Sequence, residues 1–172
     1  MPLFPPNIEK MAQACDAAGL VKCLAEGSWP RRDAARNALI ACGAPAVEPL
    51  MAALRHPTAW VRRNAAAALG AIGDRRAVEA LMLAVRDPDW HVCLHAVASL
   101  GQLRDARAAP ALIDSLALLD ERQAEDPIRG AGRPESVFAI ARQGLVGIGA
   151  PAVEPLIGAK ILNSGAHCLV AR

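Results

Sequence analysis

The sequence predicts an all-α protein, a right-handed α-α superhelix (solenoid) of about four to five helical pairs. Apolar residues recur at helical spacing in two short segments joined by an Asp-Pro turn, within residues 77–103. Neither segment can bury its apolar stripe alone, so the pair needs neighbours of the same kind. Such neighbours exist, because the pattern returns about every 31 residues. The apolar 53% of the chain is mostly Ala, Leu and Val, which favours close helix packing.

The register of the repeat follows from subtraction along the chain. The octapeptide GAPAVEPL occurs twice, at 43–50 and 149–156. Its offset of 106 exceeds three units of 30, 31 and 31 by 14 residues, which predicts an insertion. Identical residues recur at the same position of successive repeats. Five pairs are 31 residues apart: Val47 and Val78, Leu50 and Leu81, Pro57 and Pro88, Val61 and Val92, and Leu69 and Leu100. Leu39 and Leu69 are 30 residues apart.

Taken in order, the elements begin with a Pro-rich extended lead-in over residues 1–6. Asn7 is placed to cap a helix from Ile8 to about Ala18, which Gly19 interrupts. Further on, Thr58 is expected to cap the helix 59–72. We expect one domain with these divisions: repeats at 8–42, 43–73, 74–104 and 105–149 with an insertion at 120–135, then a terminal helix and cap at 150–172.

The insertion and the C-terminal tail are the least regular parts of the pattern. The insertion is polar, and both a functional loop and a merely tolerated one remain open. The tail carries Leu169 and Val170 with little polar cover, whereas a terminal repeat needs a polar outer face. The tail therefore either folds back as a cap or is covered by another surface, such as a second copy in a homodimer.

Composition argues against several classes of protein. A net charge of +2 is too balanced to indicate nucleic-acid binding on its own. Five scattered cysteines without a CxxC motif are typical of small buried side chains in a reducing compartment. We find no signal-peptide pattern and no uncharged apolar stretch of about 18 residues. A cytoplasmic protein that does not enter a membrane is therefore expected.

Three blocks of the chain resemble HEAT repeats: WVRRNAAAALGAIGDRRAVEAL, PDWHVCLHAVASLGQLRDARAAPAL and GLVGIGAPAVEPL. More narrowly, they resemble the short bacterial type first named for phycobilisome (PBS) lyase subunits, over roughly residues 20–162. The resemblance implies an armadillo-type α-solenoid. It specifies fold better than function, because proteins of this type include bilin lyases, deoxyhypusine hydroxylase, DNA-repair glycosylases and adaptor proteins.

The hydroxylase branch of this resemblance can be tested on the residues themselves. That family places a His-Glu pair early in the inner helices to hold two irons. The positions that match by register carry the pairs Asp33-Ala34, Arg63-Asn64, Leu94-His95 and Ala139-Ile140. Since none is a His-Glu pair, the sequence does not support the iron-dependent activity, and we expect no cofactor.

His91, Cys93 and His95 form the one metal-like cluster in the sequence. On a helix the two histidines lie one turn apart and could share an ion, while Cys93 projects away from them. Two ligands do not hold a zinc ion, so we expect His91 instead to replace Trp60 of the preceding repeat and cover a turn. The sequence also lacks a Ser/His/Asp signature and a Gly-rich phosphate loop, which argues against an enzyme.

Other recurring residues are interpreted as structural. In repeats of this type an arginine such as Arg32 or Arg62, which are equivalent by register, bonds within or between repeats, often to an Asp in the turn. Tryptophans near the start of inner helices are expected to pack over the edge of the stack, with recognition as the alternative: Trp29, Trp60 and Trp90. Glycines near helix ends are expected to be C-caps: Gly70, Gly73, Gly101, Gly147 and Gly149.

The inner helices are expected to line a concave groove. At 100° per residue, the side of each inner helix opposite its buried stripe is small and apolar in the middle of the stack and polar at the flanks. An apolar floor with a charged rim suits a partner helix or peptide. The residues predicted to bind this partner are Arg36, Asn37, Arg63, Leu94, Val97, Ala98, Arg142 and Gln143.

The leading functional hypothesis is therefore a non-enzymatic protein–protein interaction or scaffold module. The alternative is a bilin-lyase-like subunit, or a chaperone for a tetrapyrrole-bearing protein, and it depends on the resemblance alone. A third hypothesis is DNA binding by a glycosylase-like solenoid. The arginines are discontinuous along the predicted groove, which disfavours nucleic acid as a partner.

Overall fold

The structure is a computed structural model that describes the backbone of residues 6–115 and 134–149 and the side chains of residues 8–115 and 140–149. Three predicted features lie wholly or mostly outside these residues: the lead-in at 1–6, the insertion at 120–135, and the terminal helix and cap at 150–172. The dimer surface suggested for the tail lies outside them as well.

Every regular element within the described residues is helical, which confirms the all-α repeat fold. Short 3-10 turns at Ala44–Ala46, Arg75–Ala77 and Ala106–Ala108 lead into outer helices. The helices are α1 Pro6–Gln13, α2 Ala17–Glu26, α3 Trp29–Cys42, α4 Val47–Ala53, α5 Ala59–Ile72, α6 Val78–Ala84, α7 Trp90–Leu103, α8 at 109–115, and α9 Pro134–Ile148.

The helices form two layers. The inner helices α3, α5, α7 and α9 pack on one another in chain order, and α2, α4 and α6 each pack behind the inner helix that follows them. The positions that define the register are fully buried between the layers, because each layer presents its apolar stripe to the other. They include Leu39, Val47, Leu50, Val61, Leu69, Val78, Leu81, Val92 and Leu100.

Equivalent ion pairs repeat along the edge that carries the 3-10 turns. Arg76 contacts the carboxylates of Asp74 and Glu48 and the carbonyl oxygen of Ala44. Arg107, 31 residues later, makes the corresponding set of contacts with Asp105, Glu79 and the carbonyl oxygen of Arg75. Each arginine thereby ties its own turn to the preceding repeat.

The N-terminal helix is shorter than the sequence predicts. The predicted helix 8–18 ends at Gln13, and Cys15 adopts a left-handed φ of 47°. The Asp16 carboxylate then accepts a hydrogen bond from the Gly19 backbone N–H at 3.0 Å and caps α2. A strong N-cap outweighs the continuous apolar pattern. The break therefore lies before Asp16, while Gly19 falls inside α2.

Helix capping differs from the prediction at Thr58 and at glycines that were expected to end helices. Thr58 precedes α5 as expected, but its side chain makes no capping hydrogen bond. Gly73 has a left-handed φ of 77° and caps α5, as predicted. Gly70 and Gly101 instead lie inside helices at points of close approach, because a Cβ on Gly101 would lie 3.1 Å from the Cα of Gly144. The C-cap interpretation of these two glycines is therefore wrong, and it is also wrong for Gly147, which lies inside α9.

Candidate functional site

Each of the two central inner helices has a line of side chains that the packed layers leave partly uncovered. The spacing is four residues, so the side chains lie above one another on one side of the helix. This surface is here named the inner stripe, and its members are half-buried or exposed: Arg63, Ala67 and Ala71 of α5 with Leu94, Ala98 and Gln102 of α7. On α7, His91, His95 and Gly101 are partly exposed beside this line.

Most of the residues predicted to bind a partner lie on or beside the inner stripe. Arg63, Leu94 and Ala98 belong to it. Asn37 on α3 and Gln143 on α9 occupy the matching register positions and are exposed. Arg142 is exposed and Arg36 is half-buried at the side of α3 that faces α5.

Val97 does not lie on this surface, so its prediction as a contact residue is wrong. Its side chain is 0% exposed. Val97 lies one turn before Gly101, on the side of α7 that packs against Gly144 of α9. Ala66 is buried in the same way against α7, where Ser99 Oγ donates a hydrogen bond to its carbonyl oxygen at 2.8 Å. Inner helices pack against neighbours on both sides, so their buried arc is wider than the two-layer pattern predicts.

A polar network lies beside the inner stripe between α3 and α5. Arg36 Nη1 donates to Asn64 Oδ1 at 3.5 Å and pairs with the carboxylate of Asp33 at 3.4 Å. The Asn64 amide donates in turn to the carbonyl oxygen of Trp60 at 2.8 Å. Asn64 is buried, and it was not among the functional residues predicted from the sequence. A polar side chain at this repeat position, which His95 occupies in the next repeat, could have indicated it, because the positions one turn away from Asn64 are apolar.

The tryptophans at the start of the inner helices are covered to different extents. The Arg63 guanidinium carbon lies 4.6 Å from the Trp60 ring centroid and that of Arg32 lies 5.8 Å from it, a cation–π arrangement that orients both arginines. Trp90 stacks on His91 with ring centroids 4.1 Å apart. Trp29 is 67% exposed, so its packing over the edge of the stack is slight.

The His95 imidazole lies near positively charged side chains, next to the inner stripe. Burial lowers the pKa of its imidazole below the usual 6.5, and Arg63, His91 and Arg36 lower it further. Residues 8–115 and 140–149 contain no group of three or more His, Cys, Asp and Glu side chains that could hold a metal ion. The pair His91 and His95 therefore gains no third ligand from this part of the chain.

The register-equivalent arginines are structural, as predicted, but they differ in their partners. Arg62 donates to the two carboxylate oxygens of Asp87, in the next turn, at 2.7 and 2.8 Å. It also donates to the carbonyl oxygen of His56 at 2.9 Å. Arg32 instead reaches the carbonyl oxygen of Ala25 at 3.3 Å, and its buried Nε has no partner.

The outer layer carries a groove of its own between α4 and α6. Met51, Ala80 and Leu83 line it, and charged residues of both signs surround it. Leu83 is 68% exposed. The mixed charge around this groove does not indicate a particular partner. Leu83 is nevertheless useful as a control for substitutions of Leu94 on the inner stripe.

These features define an all-α solenoid with a narrow, partly apolar surface on its inner helices. Residues 47–125 match the family of HEAT repeats. This stretch therefore contains HEAT repeats, which confirms the resemblance found in its sequence. No curated protein matches the chain. Among residues 6–115 and 134–149, no helix is both long and apolar enough to cross a bilayer.

Two solved structures place this fold among known proteins. The complex of CpcE and CpcF of phycocyanin lyase from Nostoc sp. PCC7120 contains a chain that is 32% identical, with a TM-score of 0.57. That match covers 80% of this chain and 56% of the other, so this chain spans little more than half of that protein. An engineered protein, 22% identical with a TM-score of 0.57, matches over 92% of this chain and 76% of its own, and shows the fold alone.

Proposed function

We propose that this protein is a non-enzymatic interaction module that holds a helix or peptide of a protein partner along the inner stripe. The observation that carries the proposal is the partly exposed run of Ala67, Leu94 and Ala98 across two helices that pack on each other. Apolar surface of this kind gains free energy when a partner removes it from water. Small side chains at two of the three positions leave room for a partner backbone.

The charged residues beside this run supply orientation rather than most of the affinity. Arg63 is held against Trp60 and Arg36 is held by Asn64, so both lose less conformational freedom on binding than free arginines do. Planar guanidinium groups suit carboxylates of a partner. The proposed surface therefore combines an apolar floor with prepositioned donors at one end, and it excludes the buried Val97.

The experiment first identifies the partner and then measures its affinity. A photo-crosslinking amino acid at Ala98 captures the partner in the native host, and the same amino acid at Leu83 reports capture by the outer layer. The partner is then purified and titrated calorimetrically. We expect Leu94→Glu to weaken its binding about tenfold or more, since a charge would enter an apolar contact.

Leu83→Glu is the matched control, because it makes the same exchange at an exposed leucine of the outer layer. It should change the affinity less than about twofold. Both variants should keep the helicity and melting temperature of the parent protein. If Leu83→Glu weakens binding and Leu94→Glu does not, the partner binds the outer layer and the proposal fails.

A second candidate function is supported by the similarity to the phycocyanin lyase complex, at 32% identity over 80% of this chain. In this reading the protein is a subunit of a bilin lyase, or a chaperone for a tetrapyrrole-bearing protein. Co-expression with a bilin and a phycocyanin acceptor subunit tests it, with and without a second lyase subunit. A coloured covalent adduct that depends on this chain supports the idea, and its absence in both arrangements removes it.

A further inference from the structure

Two cysteines from different helices meet at the turn between α1 and α2. The Cys15 backbone N–H donates to the carbonyl oxygen of Ala12 at 3.1 Å, and the Cys42 thiol lies 3.9 Å from that same oxygen. Both cysteines therefore lie against one carbonyl oxygen. Residues that are far apart in sequence are thus adjacent at the end of α3.

The two thiols differ in their access to solvent. Cys15 is exposed and has a left-handed backbone, so the prediction that the cysteines are buried is wrong there, although it is confirmed for Cys23 and Cys93. Cys42 is half-buried, and burial together with the neighbouring Cys15 raises the pKa of its thiol to about 11. A reagent in solution therefore meets Cys15 first.

We propose that Cys15 and Cys42 are a redox modification site that closes to a reversible disulfide by exchange with a low-molecular-weight disulfide such as oxidised glutathione. The Cys15 thiolate attacks one glutathione sulfur, which forms a mixed disulfide and releases one glutathione, protonated by the proton from Cys15. Cys42 then loses its proton, attacks the Cys15 sulfur and expels the second glutathione as a thiol. Two protein thiols are oxidised, and one glutathione disulfide is reduced.

The consequence is a covalent staple between the N-terminal helix and the first inner helix. A groove separates α1 from α3, lined by Ala12 on one side and by Ala34, Asn37 and Ala38 on the other. Helix α1 has only eight residues, and among its described side chains Ile8 alone is fully covered. It therefore holds to the stack through few contacts, and a crosslink that closes the intervening loop should stabilise it.

The chain supplies its own controls. Cys23 is buried, with its sulfur 4.0 Å from the Met11 sulfur and 3.9 Å from Arg31. Cys93 is buried in the core. Neither should react with glutathione disulfide while the protein stays folded. Cys168 lies outside the described residues, so the test protein carries Cys168→Ser to remove it from the product map.

The test protein is the full chain with Cys168→Ser, incubated with glutathione disulfide and mapped by mass spectrometry. We expect the intact protein to lose two hydrogens, one crosslinked peptide to join Cys15 to Cys42, and the melting temperature to rise by roughly 5–10 °C. Amide exchange over residues 6–13 should slow. Cys15→Ser should abolish all four effects, while Cys23→Ser should preserve them.

Several results would overturn the proposal. They are a crosslink between other cysteines, a disulfide-linked dimer, an unreacted protein, or a glutathione adduct on Cys15 that persists without closure. The variant Cys42→Ala separates the first step from the second. It should accumulate the mixed disulfide on Cys15 and show no rise in melting temperature, and failure to form that adduct also contradicts the proposed sequence of steps.

Discussion

Two successive junctions between inner helices, α3–α5 and α5–α7, share one register but are held differently. In the second, Arg62 is paired with Asp87, and the two side chains are only 13% and 8% exposed. In the first, the position of Asp87 is taken by His56, so the equivalent Arg32 has no carboxylate there. The repeat fixes where an arginine lies, while a single residue in the next turn decides whether that arginine ties two repeats together.

Helix packing differs between the same two junctions. At α5–α7, Gly70 allows close approach and Ser99 donates to the Ala66 carbonyl. The equivalent positions at α3–α5 are Ile40 and Ala68, a larger side chain and one without a hydroxyl. We therefore expect α5–α7 to be the more stable junction and α3–α5 to open first in local unfolding.

The largest expected effect comes from breaking the stronger junction. Asp87→Ala leaves the Arg62 guanidinium largely buried without its carboxylate, which should lower the free energy of unfolding by about 3 kcal/mol. Urea denaturation measures this loss. Asp114→Ala is the control, because Asp114 pairs with Arg86 on the surface and should contribute under about 0.5 kcal/mol. Equal losses in the two variants would mean that burial of the Arg62 pair is not decisive.

The next effect tests the close approach of α5 and α7. A Cβ on Gly70 would overlap the Ser99 side chain, with its Cβ only 2.6 Å away. Gly70→Ala should therefore lower the free energy of unfolding by about 1–3 kcal/mol. The control is Gly147→Ala in α9, where the nearest atom is 3.5 Å away and the gain in helix propensity is about 0.5–1 kcal/mol. A neutral Gly70→Ala would show that the helices separate at little cost.

The sequence correctly predicts which residues are buried between an inner helix and the outer layer behind it. Leu69 and Val92 are buried as predicted, because their spacing alone places them between the layers. Val97 was misplaced because its burial depends on how closely α9 approaches α7, which residue spacing within one helix does not reveal. The N-terminal break was missed for a related reason, since the Asp16 cap competes locally with a pattern that reads as continuous.

A smaller effect should strengthen the weaker junction. In its own turn the Asp87 carboxylate accepts the Asp89 backbone N–H, and His56 Nδ1 accepts the Thr58 N–H in the equivalent way. His56→Asp therefore keeps the turn and adds a carboxylate for Arg32. We expect the free energy of unfolding to rise by about 1 kcal/mol, measured by urea denaturation.

The gain from His56→Asp should disappear when Arg32 is also changed to Gln, because the new carboxylate would then lack its partner. A double-mutant cycle measures this coupling directly. If His56→Asp stabilises the protein equally with and without Arg32, the gain comes from the turn alone. The comparison between the two junctions would then depend on helix packing rather than on the ion pair.

The smallest effect concerns pH and the polar network beside the inner stripe. Burial and the nearby cations lower the pKa of His95 in the folded protein below its usual 6.5. The unfolded chain then binds more protons in the interval below that value, so the free energy of unfolding falls as pH drops through it. His95→Gln should flatten this slope, measured by urea denaturation between about pH 5 and about pH 7.5. Arg63→Gln should move the His95 pKa back toward 6.5, because one of the nearby cations is removed. NMR titration of the imidazole measures this change. A pKa that does not respond would show that Arg63 does not contribute to the positive environment of His95.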